Sequence, residues 1–354
     1  MNYLFGNTYI DYIKYKNILQ YIPKINNKII KKQYYNDEND IVQKVKEFCQ
    51  NDMDKKFIVS LSGGVDSMVL ISVISYLGYE VIGVHLNYNN RVETKDEERF
   101  LKEWCNFNNI KLYVENINTI KRADSGNRRQ YELETKNIRF NFYKKILERE
   151  SCEYIILGHH KDDIVENIFA NVCRGRYILD LAVIKYKSIV NGVTIGRPLI
   201  EIYKKEIFDF ASDNNIPYFI DTTPGWSIRG KYRNEIYPRL EDAFSKSVKN
   251  NLLGLSRQSY EWNELIMKQI VDPFMEKVKF CDKLVEFNVE KYIDFPLCFW
   301  SIVFMKIFYY YGINCPSRKA IKTFMSSIPT IGNASISNKC CCYIKNTDVR
   351  IVFL

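Results

Sequence analysis

Six consecutive residues near position 65 have the types and spacing of a loop that binds an anion. They lie between two apolar runs, 57–61 and 68–71, which predicts a strand, a tight turn and the start of a helix. Backbone N–H groups and two hydroxyls would then meet at a helix N-terminus, where the helix dipole favours negative charge. No Gly-Lys-[Ser/Thr] follows the glycines, which argues against a Walker loop and favours a loop that holds the pyrophosphate of ATP. The six residues are Ser62, Gly63, Gly64, Val65, Asp66 and Ser67.

An ordinary capped turn is the alternative for this loop, with Asp66 or Ser67 as the helix cap. The neighbouring strand and helix signals favour nucleotide binding over that alternative. The expected ligand is therefore a nucleotide.

A second polar cluster follows another short apolar run, 154–158. Asp163 and Glu166 are three residues apart, so they share one face of the predicted helix. Two such carboxylates can hold Mg²⁺ or the ammonium group of a second substrate. The alternative is an acidic first turn that is favoured by the helix dipole, with His159 as a structural histidine. The cluster begins with Gly158, His159 and His160 and contains Asp162, Asp163 and Glu166.

Strands and helices alternate through the middle of the chain, which predicts a parallel sheet with helices on both faces. Ligands bind such sheets at the carboxyl ends of the strands, where both polar clusters should meet. Polar segments at 119–130 and 222–233 are predicted to be loops over this edge. Strands are predicted at 57–61, 81–86, 111–117 and 154–158, extended pieces at 193–200 and 218–220, and helices at 93–108, 131–149, 161–173 and 203–214.

A length of 354 residues allows two or three domains. We predict an α/β fold, with a doubly wound, mainly parallel sheet and a C-terminal, mainly helical domain that ends in short extended runs. The predicted boundaries are an N-terminal extension at 1–54, a catalytic domain at 55–243 and a C-terminal domain at 244–354.

The net charge, the cysteine spacing and one apolar segment indicate which binding partners and metal sites to expect. The net charge of +9 fits a polyanion such as RNA, although many soluble enzymes share it. Ten cysteines occur without any C-x-x-C pair, so neither a zinc nor an iron–sulfur site is predicted. The apolar segment 295–313 contains Pro296 and Lys306 and is short for a membrane span, so we expect a buried aromatic helix and no membrane partner.

These motifs resemble those of one enzyme family. The loop at 62–67 matches the PP-loop of the ATP-pyrophosphatase superfamily, and 158–167 is similar to the G-H-H-x-D-D-x-x-E-[Thr/Asn] motif of the tRNA(Ile)-lysidine synthetases and the related tRNA 2-thiocytidine enzymes. Weaker matches from 57 to 240 support the first of these two. They include His85 in the second strand and Arg91 after it, Arg139 in a helix, Arg174, Arg197 in R-P-L, and the pair Arg233 and Asn234.

The resemblance implies a cytoplasmic ligase that uses ATP and Mg²⁺. It implies adenylation of the wobble cytidine in an isoleucine tRNA with a CAU anticodon, followed by attack of L-lysine on carbon 2 and release of AMP and pyrophosphate. Carried onto this sequence, the ATP-binding residues are those of the loop at 62–67 together with His85, Gly158 and His159. The catalytic residues are Asp66, Arg139, Asp162, Asp163 and Glu166, with Asp163 as the metal ligand.

The resemblance also implies an RNA surface beside the ATP site. Basic side chains would bind phosphates and Trp226 would stack on an exposed base, although such clusters are often only solvated surface. Two departures affect this surface: the D-x-[Ser/Thr]-N loop is replaced at 221–226, and Tyr237 stands at a motif arginine. The residues are Arg91, Arg128, Arg129, Arg174, Trp226, Arg229, Arg233 and Asn234.

Three other functions share part of this pattern. A tRNA thiolation enzyme would share both motifs but typically uses paired cysteines. A small-molecule ligase or amidotransferase would share the PP-loop without the Asp-Asp-x-x-Glu helix. An RNA-binding protein that has lost catalysis would fit the altered loop at 221–226 but not the intact PP-loop.

Overall fold

The structure is a computed structural model that describes residues 35–50, 56–89, 94–117, 128–219, 227–328 and 332–354, without the side chains of Arg128 and Arg129. The chain divides into two compact units, 1–257 and 258–354. The first unit thus ends 14 residues beyond the predicted boundary at 243. The assignment of three domains stays a prediction.

The first unit is built on a six-stranded sheet in the order β3-β2-β1-β4-β6-β5. All neighbouring strands are parallel except β5 and β6. Strand order reverses between β1 and β4, and this reversal creates the crevice in which doubly wound sheets bind ligands. The strands are β1 Lys56–Ser60, β2 Glu80–Asn87, β3 Lys111–Asn116, β4 Tyr154–Ile156, β5 Lys187–Val190 and β6 Val193–Gly196.

Helices cover both faces of this sheet, as predicted. In β1, Phe57 and Val59 join one apolar core and Ile58 joins the other, because successive strand residues point to opposite faces. The first core includes residues of α1, α2, α3 and α6, and the second includes residues of α4. The helices are α1 Asp40–Gln50, α2 Val65–Tyr76, α3 Thr94–Phe107, α4 Arg128–Glu150, α5 Lys161–Cys173, α6 Lys204–Asp213, α7 Ile228–Lys231, α8 Tyr237–Phe244 and α9 Val248–Ile266.

Two sequence predictions in this unit are wrong in part. The extended piece predicted at 193–200 is a strand only as far as Gly196, and it forms a hairpin with β5, which was not predicted. Asn191 and Gly192 both have positive φ in the hairpin turn, and an Asn-Gly pair is typical of two-residue hairpin loops. In the extended piece predicted at 218–220, Phe219 forms an isolated bridge with Gly64, and residue 220 lies outside the described residues. From 228 the predicted loop is helical, with a π-helix at Tyr232–Ile236.

The second unit combines a five-stranded antiparallel sheet, in the order β7-β8-β11-β10-β9, with packed helices. The predicted aromatic helix is confirmed as α11, Leu297–Tyr310, and Trp300 is its largest fully buried side chain. No helix in the described ranges is long and apolar enough to cross a membrane. The other elements are the π-helix Met267–Val271, α10 Asp272–Met275, β7 Lys279–Phe280, β8 Leu284–Asn288, α12 Arg318–Ser327, β9 Gly332–Ser337, β10 Cys340–Lys345 and β11 Asp348–Phe353.

The C-terminus of α4 is joined to two strands through the carboxylate of Glu150. Lys111 Nζ donates to Glu150 Oε1 at 2.7 Å, the Tyr113 hydroxyl donates to the same oxygen, and Lys56 Nζ lies 3.5 Å from Oε2. The hydrogen bond from Lys111, followed by that from Tyr113, lowers the pKa of Glu150 from 4.5 to about 2. The ionised form is therefore the form that stabilises the fold.

Because a lowered pKa stabilises the fold above the unfolded value, this contribution should be complete above about pH 5 and lost toward pH 2. At pH 7, Glu150→Gln should lower the free energy of unfolding by about 0.5–1 kcal/mol, a small value because Lys111 is half exposed. The gap between wild type and variant should close as the pH falls. Urea titrations at several pH values measure it, with exposed Glu148→Gln as the control. A gap independent of pH would contradict this role.

Candidate active site

The two polar clusters meet at the reversal of strand order. Ile58 and Val59 of β1 pair with Ile155 and Ile156 of β4, so the loops that leave these strands lie side by side. A Cβ atom on Gly158 would lie 2.9 Å from the Asp66 Cβ and 3.0 Å from the Asp66 carbonyl carbon. Glycine at 158 therefore allows the second loop to contact the first.

The PP-loop is held by its own hydroxyls. Ser67 Oγ donates to the Gly64 carbonyl at 3.0 Å and lies 3.2 Å from both the backbone nitrogen and the Oγ of Ser62. Gly63 has φ +84°, a conformation that favours glycine. Gly64 is the N-cap of α2, and no side chain caps this helix start. The arrangement leaves the first turn of α2 available to an anion.

Helix α5 orients its two adjacent aspartates differently. Asp163 Oδ2 accepts a hydrogen bond from the His160 backbone nitrogen at 3.2 Å, and Asp163 lines the cleft. Asp162 does not line it; its carboxylate accepts from Lys249 Nζ at 2.5 Å and from the Lys204 backbone nitrogen at 2.8 Å. Of these two aspartates, which were both predicted to be catalytic, Asp163 lines the cleft and Asp162 does not.

Glu166 and Asp163 share one cation. Arg233 Nε donates to Glu166 Oε1, and Arg233 Nη2 lies 3.7 Å from Asp163 Oδ1. Glu166 Oε2 is buried, makes no hydrogen bond with any described residue, and lies 3.8 Å from Arg229 Nε. The predicted carboxylate pair is thus present, and it retains one acceptor oxygen without a hydrogen bond.

His160 is buried among three carboxylates, a position that the sequence analysis did not assign. Its Nε2 lies 3.5 Å from Asp163 Oδ2 and 3.7 Å from Asp66 Oδ1, and its Nδ1 lies 3.8 Å from Asp162 Oδ2. The ring therefore separates the carboxylate of the PP-loop from those of α5.

Lys204 is the second site residue that the sequence analysis missed. Its Nζ donates to both carboxylate oxygens of Asp66, at 2.7 and 2.6 Å. Its backbone nitrogen binds Asp162, so one residue at the start of α6 contacts an acid from each motif. The sequence feature that could have identified Lys204 is its position at the start of a predicted helix, shortly after the R-P-L motif.

A cleft of about 780 Å³ opens at this edge of the first unit. Of the predicted site residues, the cleft is lined by Ser62, Gly64, Val65, Asp66, Ser67, Arg139, Gly158, His159, Asp163, Arg229 and Arg233. Six of its lining residues are cationic (Lys136, Arg139, Arg197, Lys204, Arg229 and Arg233), and three are anionic (Asp66, Glu97 and Asp163). This excess of positive charge suits a polyanionic ligand such as a nucleotide.

Several predicted residues lie elsewhere. Gly63, His85 and Glu166 do not line the cleft; His85 is buried, with its Nδ1 2.8 Å from the Leu61 carbonyl, and burial lowers its pKa. Arg174 and Asn234 are exposed and outside the cleft lining. Arg91 and Trp226, and the side chains of Arg128 and Arg129, lie outside the described residues.

The carboxylates fit one kind of magnesium site. In the described part of the chain, no group of three or more His, Cys, Asp or Glu side chains is arranged to hold a metal ion. Mg²⁺, however, usually keeps several waters and binds through one or two carboxylates together with substrate phosphates. Asp163, on the cleft wall, fits such a shared site better than Asp66, which Lys204 already neutralises.

Lys204→Met should raise the KM for ATP by about tenfold or more and lower the free energy of unfolding by about 1–2 kcal/mol, because Asp66 loses both hydrogen bonds from a cation. Lys205→Met is the matched control, since the Lys205 side chain is 86% exposed and forms a surface ion pair with Asp209. Initial rates of AMP formation against ATP concentration measure the effect. An unchanged KM, or equal effects of the two variants, would contradict a role for Lys204 in the cleft.

The PP-loop domain family matches residues 37–240 of the chain. The chain is 28% identical over 278 residues to the tRNA(Ile)-lysidine synthase of Chlamydia felis, covering 78% of this chain and 86% of that protein. It is 32% identical over 206 residues to the enzyme of the same name from Bacteroides thetaiotaomicron, covering 57% and 47% of the two chains.

A solved structure shares the fold. A U34-tRNA thiolase from Methanococcus maripaludis, with its [4Fe-4S] cluster, aligns with a TM-score of 0.50 and 18% identity over 65% of this chain and 78% of that one. At this identity the likeness concerns the fold alone.

Proposed function

Since the chain belongs to the PP-loop domain family and is an ATP-using ligase, we propose that it attaches L-lysine to carbon 2 of the wobble cytidine in an isoleucine tRNA with a CAU anticodon. The observation that carries the proposal is that an anion-binding loop and the buried carboxylate of Asp163 line the same cleft. We also propose that the protein acts in the cytoplasm.

The first half of the proposed reaction is adenylation. The cytidine O2 attacks the α-phosphorus of ATP, and the bond to the pyrophosphate leaving group breaks. The first turn of α2 and the cations of the cleft would stabilise the charge on that leaving group. A Mg²⁺ ion held by Asp163 would neutralise further phosphate charge.

The second half joins the amine. The ε-amine of lysine attacks carbon 2, the bond from carbon 2 to the adenylated oxygen breaks, and AMP leaves. The Asp163 carboxylate lines the cleft and is suited to accept a hydrogen bond from an ammonium group, whereas Glu166 lies outside the cleft lining and accepts from Arg233. Asp163 on the same helix face would orient the amine or take its proton.

RNA binding is supported by the cations at the cleft. Arg139, Arg229 and Arg233 line it, and a single-stranded anticodon loop presents a base that can leave its stack at low cost. The contributions of Arg91, Arg128, Arg129, Arg174, Trp226 and Asn234 to this surface remain proposals.

Thiolation is the less favoured alternative. All ten cysteines lie in the described residues, and none lines the cleft. A sulfur-carrying pair or an iron–sulfur cluster therefore has no ligand there among the described side chains.

The test is an assay of AMP formation with purified protein, radiolabelled lysine and CAU-anticodon tRNA. We expect lysine to enter the tRNA with one AMP per lysine, and other amino acids not to enter. AMP formation without lysine incorporation would keep the ATP chemistry and refute lysine as the amine. No tRNA-dependent AMP would refute the proposed reaction.

A further inference from the structure

Arg197 is a buried arginine on the cleft wall whose role the proposed chemistry does not use. It follows β6, just as His159 follows β4, and the two strands are paired neighbours. Only 5% of Arg197 is exposed. Its Nη1 donates to the Lys185 carbonyl at 2.7 Å and to Ser188 Oγ at 2.9 Å, so the β5 hairpin holds the guanidinium in place.

A third hydrogen bond of the Arg197 side chain determines which ring nitrogen of His159 carries the proton. Arg197 Nε lies 3.0 Å from His159 Nδ1. A guanidinium N–H can only donate, so Nδ1 must be the acceptor, and a neutral ring then carries its proton on Nε2. Burial, reinforced by Arg197 and Arg229 and opposed by Asp163, lowers the pKa of His159 to about 4, which keeps the ring neutral near pH 7.

His159 lines the cleft beside Gly158, which contacts the PP-loop at Asp66. With Nδ1 occupied by Arg197, the ring edge available to a ligand is Nε2–H. We propose that Arg197 is a positioning residue that fixes His159 as an Nε2–H donor, and that His159 donates this hydrogen bond to an oxygen of the phosphate chain bound in the cleft. The ligand rests on the proposed function; the tautomer does not.

The first test reads the tautomer directly. The chain has only three histidines, His85, His159 and His160, so ¹⁵N-histidine labelling gives a simple two-bond ¹H–¹⁵N spectrum. The His159→Gln spectrum assigns the signals by difference. We expect the neutral Nε2–H pattern for His159, and a shift toward the other tautomer in Arg197→Met. Arg99→Met, at a surface pair with Asp96, should change nothing.

A Nδ1–H or doubly protonated His159 in the wild type would overturn the proposal. So would an unchanged His159 pattern in a folded Arg197→Met protein. These readouts need neither tRNA nor lysine, so they separate this proposal from the proposed function.

The second test keeps Arg197 and replaces only His159. It therefore tests the hydrogen bond from His159 to the phosphate chain even if Arg197→Met does not fold. A glutamine amide can place a donor near the Nε2 position, whereas an asparagine amide reaches only the Nδ1 position. Calorimetric titration with inorganic pyrophosphate should show less than about threefold weakening for His159→Gln and about tenfold or more for His159→Asn, the effect of losing one hydrogen bond to a charged group. Equal affinities for the two variants would overturn the proposal.

Discussion

Replacing Asp163 with asparagine should reduce AMP formation by about 100- to 1,000-fold, the range for loss of a positioned charged or acid–base group. Asp163 is 7% exposed, lines the cleft and lies within 4 Å of both Arg233 and His160. Asparagine keeps the shape and an oxygen that can accept from the His160 backbone nitrogen, so the start of α5 should survive. The charge available to a metal ion or an ammonium group is lost.

The measurement is the single-turnover rate of AMP formation with saturating ATP, lysine and tRNA. Asp209→Asn is the matched control, because Asp209 is an exposed aspartate on α6 of the same unit, with 54% of its side chain accessible. Thermal unfolding of both variants should stay close to wild type, which separates lost chemistry from lost folding. Wild-type turnover in Asp163→Asn would refute the catalytic assignment of this residue.

Gly158→Ala should weaken ATP binding by about tenfold or more and lower the free energy of unfolding by about 1–3 kcal/mol, the usual cost of overpacking. The new methyl group would meet the Cβ and the backbone of Asp66 at 2.9–3.2 Å. Backbone at the start of α2 cannot rotate away as a flexible side-chain end can. The two loops must therefore separate, and the anion site between them is altered.

Equilibrium ATP binding and urea denaturation measure the two effects. Gly254→Ala is the control: it lies in α9, an added Cβ has no neighbour within 4 Å, and alanine should stabilise the helix by up to about 1 kcal/mol. If Gly158→Ala bound ATP as tightly as wild type, the close approach of the loops would have no role in binding.

Much of the site was predictable because each motif is local. Glycine at 63 and the hydroxyls of Ser62 and Ser67 shape one turn within six residues, and the spacing of Asp163 and Glu166 sets a shared helix face. The sheet class followed from the alternation of apolar runs. The β5 hairpin was missed because its apolar pattern is short, although the Asn191-Gly192 turn marked it.

Residues that pair over long separations were not predictable. Lys204 and Asp66 are 138 residues apart, and Lys249 and Asp162 are 87 apart. Sequence spacing alone cannot identify such partners, since they depend on which strands become neighbours and on where each helix begins.

By itself, the sequence determined which chemical groups the chain has: an anion-binding turn, a helix face with two carboxylates, and many basic side chains. These features depend only on residue type and short spacing. Only the tertiary structure decided which groups meet. It turned Asp162 toward Lys204 and Lys249 while Asp163 faces the cleft, because adjacent helical residues point about 100° apart. It also brought Arg197 onto His159, because β4 and β6 became neighbours in the sheet.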